Sequence, residues 1–298
     1  MRRVLLLGGN GYVGCRLYEY LSSMGHDVDN VDMCWFGKVY SETLDVNYDY
    51  LTKDYLRDFS HIILLAGHSS VSMCQTLPAC FENNVSNFVR LVEKIGDDQV
   101  LLVASTAAVY GSNPNYVDES FPLTDAINFY DYTMLCKESV MKLYPNKNIV
   151  ALRFGSVGGF SKNFRNENLM NSISISAFKD NKILISNPER YRSVLGMNDL
   201  CRAIHTLINK GVKRRTYNLT SMNAKIIDFG RTLQSIVDCD LIVNEAFNTE
   251  YSFNCSNNLF QSDYDFTFND TIESIYKEIT ENIDKIIINE KRVRRDIV

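Results

Sequence analysis

Apolar and polar positions along the first half of the chain fall into two alternating kinds of segment. Short apolar runs at residues 4–7, 27–31, 61–66, 99–104 and 149–154 predict strands. Longer stretches at 12–24, 79–95 and 130–143 carry apolar residues at helical spacing. Strands separated by helices predict parallel βαβ units with right-handed crossovers, so the expected fold is α/β, a doubly wound parallel sheet. The second half is less regular. Residues 158–168 are polar and read as a loop, 169–178 and 199–209 as helices, 217–219 and 241–245 as strands, and 270–288 as a terminal helix. The change near residue 156 predicts a domain change there. Residues 1–155 form the first unit and 156–298 mainly a smaller second one, with part of 190–216 returning to the first. No internal repeat or low-complexity tract interrupts the chain.

The 298 residues suffice for one large domain or two moderate ones, and 45% hydrophobic with 22% charged residues describes a globular protein. A net charge of −5 offers nucleic acid no electrostatic footing. The basic run Lys291-Arg292-Val293-Arg294-Arg295 is short and reads as a solvated tail. Eight cysteines without CxxC spacing, beside four histidines, predict buried reduced thiols in a cytoplasmic protein and no metal site. Arg2-Arg3 before Val4-Leu5-Leu6-Leu7 imitates the start of a signal peptide, but the apolar run is short and ends in Gly8-Gly9-Asn10-Gly11. No segment has the apolar length of a membrane span.

Candidate chemistry begins at that turn. Gly8-Gly9-Asn10-Gly11-Tyr12-Val13-Gly14 follows a predicted strand and opens a predicted helix with GxxGxxG spacing, a variant of the dinucleotide fingerprint. Glycines permit a tight turn and close approach of backbone to a pyrophosphate, and the helix N-terminus presents free N–H groups. Asp32 ends the second strand, 18 residues after Gly14. A carboxylate there accepts from both hydroxyls of the adenosine ribose and repels a 2′-phosphate, so NAD is favoured over NADP.

Two further segments carry a resemblance. Ser105-Thr106-Ala107-Ala108-Val109-Tyr110-Gly111 follows the predicted strand ending at residue 104, and Tyr130-Asp131-Tyr132-Thr133-Met134-Leu135-Cys136-Lys137-Glu138 lies on the helix after Glu119-Ser120-Phe121-Pro122. They resemble the Ser-Ser-x-x-Val-Tyr-Gly and Tyr-x-x-Ser-Lys-Leu-x-x-Glu signatures of extended short-chain dehydrogenases, the nucleotide-sugar epimerase and dehydratase family. The resemblance implies a Rossmann domain binding NAD and a smaller C-terminal substrate domain. It makes Tyr130 the catalytic tyrosine and Thr106 the hydroxyl that meets the reacting sugar oxygen. A hydroxyl that merely caps the strand end is the alternative for Thr106. Along the cofactor the resemblance places Asn10, Tyr12, Val13, Asp45, Val46, Leu65, Ala66, Gly67, Ser105, Tyr130 and Phe154, with His68 in a cofactor-side turn and Asn84 in a structural role. Ala107 and Ala108 stand where the dehydratase branch has Asp-Glu, which argues against a 4,6-dehydratase.

Met134 stands where the resemblance requires lysine. The chemistry needs a phenolate, and tyrosine's reference pKa is about 10. A neighbouring ammonium favours ionisation, and in this family the lysine also bonds the nicotinamide ribose. Tyr132 and Lys137 are five residues apart, roughly 140° around a helix, so they do not form a substitute pair. Tyr130 and Lys137 share a stripe, with an axial gap of roughly 10 Å. Three readings stay open: a natural replacement leaving a slow enzyme or a binding protein, an introduced substitution that traps ligand, or compensation by Lys137.

On the substrate side the resemblance draws in Ser156, where the family keeps an asparagine, together with Thr106, Ala107, Arg165 and Asn171. Arg190 or Arg192 is a candidate bidentate clamp for a diphosphate, with surface solvation as the alternative. The implied activity is epimerisation of a nucleotide sugar by transient hydride transfer to bound NAD. The alternatives are a keto-sugar reductase or dehydrogenase, or an impaired sugar-nucleotide-binding protein. A homodimer through the helices starting near Asn84 and Tyr130 is also implied.

Overall fold

The computed structural model describes residues 2–123, 126–244 and 251–287. The strands are Arg3–Leu7 (β1), Asp27–Asp32 (β2), Leu44–Asp45 (β3), His61–Leu64 (β4), Val100–Thr106 (β5), Asn113–Val117 (β6), Asn148–Phe154 (β7), Ser156–Gly158 (β8), Lys182–Ser186 (β9), Tyr191–Gly196 (β10), Thr216–Leu219 (β11), Met222–Lys225 (β12), Asp240–Asn244 (β13) and Phe253–Cys255 (β14). The α-helices are Tyr12–Ser23 (α1), Lys53–Leu56 (α2), Val71–Thr76 (α3), Asn87–Lys94 (α4), Phe129–Lys142 (α5), Leu169–Asp180 (α6), Met197–Lys210 (α7), Ile226–Ile236 (α8), Asn258–Tyr264 (α9) and Ile272–Glu281 (α10).

A seven-stranded parallel sheet in the order β11-β7-β5-β4-β1-β2-β3 forms the frame. Its central strands β1, β4, β5 and β7 are mainly apolar on both faces because both faces are covered. Val4, Leu6, Ile63, Leu102, Val150 and Leu152 point into one core, shared with α1, α7 and the second half of the chain. Their neighbours Leu5, Leu7, Ile62, Leu64, Leu101, Val103 and Ile149 point into the other, shared with α4 and the end of α5. A one-residue slip in register would exchange the two sets, so each strand's pairing is specified by packing on both sides. The order changes direction between β1 and β4, and a ligand crevice opens beyond the strand ends at such a switch point.

The return to this sheet is made by α7, which packs on α1, and by β11, which pairs with β7. Asp199 in the first turn of α7 is fully buried; its carboxylate accepts from the Asn269 and Asp270 N–H groups and from Ser221, fixing the approach to α10. The remaining strands form small sheets, β12-β10-β8, β13-β9 and β14-β6. Helices α6 and α8 pack on β9, and α10 packs against both of them.

Several boundaries differ from the sequence pattern. The strand expected to reach residue 66 ends at Leu64, because the Leu65 and Ala66 N–H groups both turn to the Leu7 carbonyl. The helix expected over 79–95 starts later, behind Ala79 at φ 61°, with a π-helical turn at Glu82–Ser86 before α4. The terminal helix begins at Ile272 behind a Thr271–Ser274 capping box and stops at Glu281. The expected ends at residues 245 and 288, and the basic run at 291–295, lie outside the described residues. Among the described residues no helix is long and apolar enough to cross a membrane.

Candidate active site

A cleft of about 770 Å³ opens at the C-terminal ends of the central strands, between the sheet and the second half of the chain. Its first wall is the glycine turn. Gly8 has φ 98°, and a Cβ on it would lie 2.6 Å from the Ala66 nitrogen. A Cβ on Gly14 would lie 2.1 Å from the Gly8 carbonyl oxygen. Gly11 caps α1 without a side-chain hydrogen bond, so N–H groups of the first turn are left for a ligand. Gly8, Gly11, Tyr12, Val13 and Gly14 all line the cleft, as do Val46, Leu65, Ala66, Gly67, Ser105 and Phe154. This cradle fits a dinucleotide pyrophosphate.

Asp32 faces the same end. Its carboxylate accepts from the Asn10 N–H at 2.8 Å and the Cys34 N–H at 2.7 Å. Burial raises its pKa, and these N–H donors oppose the rise. Two expected cofactor residues lie off the cleft wall. The Asn10 side chain does not line the cleft: it donates to Thr43 at 2.8 Å and accepts from the Val39 and Tyr40 N–H groups, pinning the loop behind Asp32. Asp45 is exposed on the two-residue edge strand β3, and Val46 takes the lining position.

At the other end, Thr106 is the last residue of β5 and Tyr130 lies in the first turn of α5 behind the Asn128 cap. The Tyr130 phenol lies beside Thr106, whose side chain acts on its ionisation. The Thr106 hydroxyl also accepts from the Ala108 N–H at 3.2 Å, so it caps the strand end as well. Burial pushes the Tyr130 pKa up; the Arg165 guanidinium and the Thr106 side chain pull it back, and Asp131 adds to the rise.

Behind the pair lies a buried polar network. Arg153 donates to Glu138 from Nε at 3.0 Å and from Nη2 at 2.6 Å, and Ser105 donates to the same carboxylate at 2.6 Å. Arg153 Nη1 reaches the Tyr110 hydroxyl at 2.6 Å, which in turn donates to Asn218 at 2.8 Å. The network locks the end of β5 to α5 and so sets where Thr106 and Tyr130 meet.

Met134 is 4% exposed and packs with Ala107, Val109, Tyr110, Val117 and Phe253. Lys137 also lines the cleft although it is 5% exposed, with Nζ 3.3 Å from the Ala104 carbonyl oxygen. Burial lowers its pKa to about 8, against a small upward pull from Glu138.

Of the expected substrate residues, Ser156, Arg165 and Arg192 line the cleft. Arg165 donates to the Ser69 hydroxyl at 2.9 Å and to Glu167 at 2.8 Å, spanning the mouth. Arg192 donates to the Tyr191 and Tyr251 carbonyls and lies over the Phe253 ring, and burial lowers its pKa to about 10. Arg190 is not on the cleft wall. Two other expected substrate residues lie off the wall. Asn171 is fully buried outside the wall, donating to the Tyr12 hydroxyl and the Arg165 carbonyl and accepting from the Gly159 N–H. Ala107 turns into the apolar cluster around Met134, and Ala108 lines the cleft instead.

The sequence reading missed Trp35, Tyr251 and Phe253 on the wall. Trp35, the single tryptophan, follows Asp32 by three residues and carried a local signal. Tyr251, 120 residues after Asp131, and Phe253 carried none; the Tyr251 hydroxyl donates to Asp131 at 2.8 Å. That carboxyl is buried, which raises its pKa to about 6. His68 packs edge-on to Trp35 with both ring nitrogens lacking a hydrogen bond of ordinary geometry, and burial lowers its pKa although the Pro78 carbonyl nearby acts in the other direction. The expectation of eight reduced thiols fails for one pair: Cys74 in α3 and Cys80 form a disulfide beside the cleft. Their side chains meet because Ala79 turns the chain back through positive φ.

The NAD-dependent epimerase/dehydratase family, as a sequence model, matches residues 4–220. The chain belongs to this family. A GDP-6-deoxy-D-talose 4-dehydrogenase of Aggregatibacter actinomycetemcomitans is 24% identical over 229 residues, 73% of this chain and 74% of that one. A UDP-glucose 4-epimerase of Lactobacillus helveticus is 28% identical over 181 residues, 53% of each chain. Among solved structures, the NAD-dependent NDP-hexosamine 5,6-dehydratase TunA of tunicamycin biosynthesis superposes with a TM-score of 0.85 at 19% identity, over 97% of this chain and all of that one. That likeness is one of fold. Family membership and the glycine cradle together make NAD the cofactor of this protein.

Proposed function

We propose that this family member is a nucleotide-sugar epimerase. The observation that carries the reading is the meeting of Thr106 and Tyr130 on the cleft wall, with apolar Ala107 and Ala108 following in the chain where dehydration would need carboxylates. Bound NAD supplies the acceptor for the hydride leaving the sugar carbon and the donor when it returns. The proton is this chain's task. Tyr130 takes it from the sugar hydroxyl as the carbonyl forms and gives it back when the hydride has returned to the opposite face. Thr106 holds the reacting oxygen against the phenol. Arg192 and Ser156 supply donors to a diphosphate, and Arg165 spans the mouth. Chemistry inside the cleft, with Arg165 at its mouth, holds the keto-sugar between the two transfers.

The name of the Aggregatibacter relative supports a second reading, net oxidation of a sugar hydroxyl. Product analysis separates the two. After incubation with UDP-, GDP-, CDP- and dTDP-hexoses, an epimerase yields a sugar nucleotide of unchanged mass and no net reduced nicotinamide. A dehydrogenase yields keto-sugar and reduced nicotinamide in equal amounts. Conversion of none of these hexoses overturns both.

The same reading includes a homodimer. Tyr132 on the outer side of α5 stacks on Phe129 and on Phe81, and all three are exposed. Sedimentation velocity of the wild type and of Tyr132→Glu tests this: the variant sediments as a monomer if the face joins two copies.

A further inference from the structure

Among the described residues Lys137 is a buried cation without a counterion. Its helix neighbour Glu138 is the nearest acid, and that carboxylate is taken up by Arg153 and Ser105. Lys137 makes no ion pair among the described residues; Nζ has the Ala104 carbonyl at 3.3 Å and the Phe88 ring, whose centroid is 5.8 Å away. An ammonium carries three donors, so one hydrogen bond leaves it unsatisfied. Burying it unpaired is costly, and such groups persist where a ligand completes them.

The position of the open donors is informative. Lys137 lines the cleft with Ala66, Ala104 and Ser105, across the ends of β4 and β5. A dinucleotide with its pyrophosphate on the start of α1 and its first ribose at Asp32 runs its second ribose over this wall toward Tyr130. Met134 lines the same cleft, but its thioether carries no donor for a ribose hydroxyl. Lys137 is seven residues from Tyr130, nearly two helical turns, and therefore on the same stripe of α5.

We propose that Lys137 is the cofactor lysine of this site, donating from Nζ to the hydroxyls of the nicotinamide-side ribose. The two duties expected of one lysine are thereby divided. Lys137 holds the ribose, while Thr106 and Arg165 act on the Tyr130 phenol. The assignment rests on NAD being the cofactor and is independent of which sugar is turned over.

The test is calorimetric binding of NAD and of ADP to the full-length protein freed of nucleotide. ADP reaches Asp32 and the glycine turn but not the second ribose, so it reports a general disturbance of the fold. In Lys137→Met the dissociation constant for NAD rises at least tenfold and that for ADP stays within twofold. Adding Met134→Lys to Lys137→Met recovers part of the NAD affinity if a lysine one turn earlier reaches the same hydroxyls. An unchanged ratio of NAD to ADP affinity in Lys137→Met overturns the proposal. Should that variant bind neither ligand, the wild type decides. Its NAD-to-ADP affinity ratio falls between pH 7 and pH 10 if the ammonium contacts the ribose, and a flat ratio overturns the assignment. Failure of the epimerase reading leaves all these outcomes intact, since no sugar enters the measurement.

Discussion

Tyr130 and Lys137 share one stripe of helix α5 and line the same cleft, with the uncharged Met134 between them. The catalytic phenol is therefore separated from the buried ammonium and depends on other groups for its acidity. Arg165 and the Thr106 hydroxyl supply them. A phenol so served starts from a pKa raised by burial, and turnover gains as pH rises through the phenol's titration.

Removal of the phenol isolates its role. Tyr130→Phe lowers kcat by about a hundred- to ten-thousand-fold, the range for a positioned acid–base group. The dissociation constant for NAD changes little, because the cradle and Asp32 are untouched. Steady-state kinetics beside NAD binding check this, and a parallel loss of NAD affinity contradicts it.

The charge on Lys137 gives a stability signature. Its pKa in the folded protein is lowered from 10.5 to about 8 by burial. The groups packed against it are Glu138 on its own helix, the Ala104 carbonyl on β5 and the uncharged Phe88 ring on α4. Below pH 8 both states carry the charge and the penalty for burying it is fully present. Between pH 8 and 10.5 the unfolded chain holds more protons, so stability at this site rises with pH. Cys15 and Cys255 act in the opposite sense, since burial raises both thiols to about 12. Comparison with Lys137→Met cancels them. The variant is more stable than the ligand-free wild type at pH 7 by up to about 3 kcal/mol, and the gap closes toward pH 10.5. Urea melts across this range test it; a gap independent of pH excludes the titration.

The Arg153–Glu138 pair is 5% and 6% exposed, so its single and double variants differ. Arg153→Met strands a buried carboxylate and costs about 3–5 kcal/mol. Adding Glu138→Gln restores part of that stability. Denaturant melts of the three proteins read the coupling; additive losses contradict the network.

Cysteine reactivity checks the disulfide. Cys74 and Cys80 are joined, while Cys15, Cys34, Cys136, Cys201, Cys239 and Cys255 are free. Denatured without reductant, the chain therefore titrates six thiols, and eight after reduction. Eight before reduction contradicts the link.

The parts of this molecule legible in its sequence are those with local causes. The alternation of Val4–Leu7 and the glycine turn encode a doubly buried strand entering a helix, and the register from Glu119 to Glu138 places Tyr130 against Thr106. Asn10 and Asn171 misled because their residue type suits ligand contact, whereas their amides satisfy backbone and tyrosine groups inside the wall. The substrate side was least legible. Strands β8 and β14 have three residues each, too few to carry a period, and they form only because partners distant in sequence receive them. Tyr251 reaches the cleft by that route. The burial of Lys137 depends on Glu138 preferring Arg153, which no spacing along α5 reveals.

The most direct test of the central claim is an anaerobic transient-reduction experiment on the NAD-loaded wild type with UDP-, GDP-, CDP- and dTDP-hexoses. Reduced-nicotinamide absorbance should rise and decay with at least one of them, leaving the epimeric sugar nucleotide as product, with Met134 in place. No absorbance change with any of the sugars, together with its appearance in Met134→Lys, would contradict a working site and mark the chain as a disabled form of its family's enzyme.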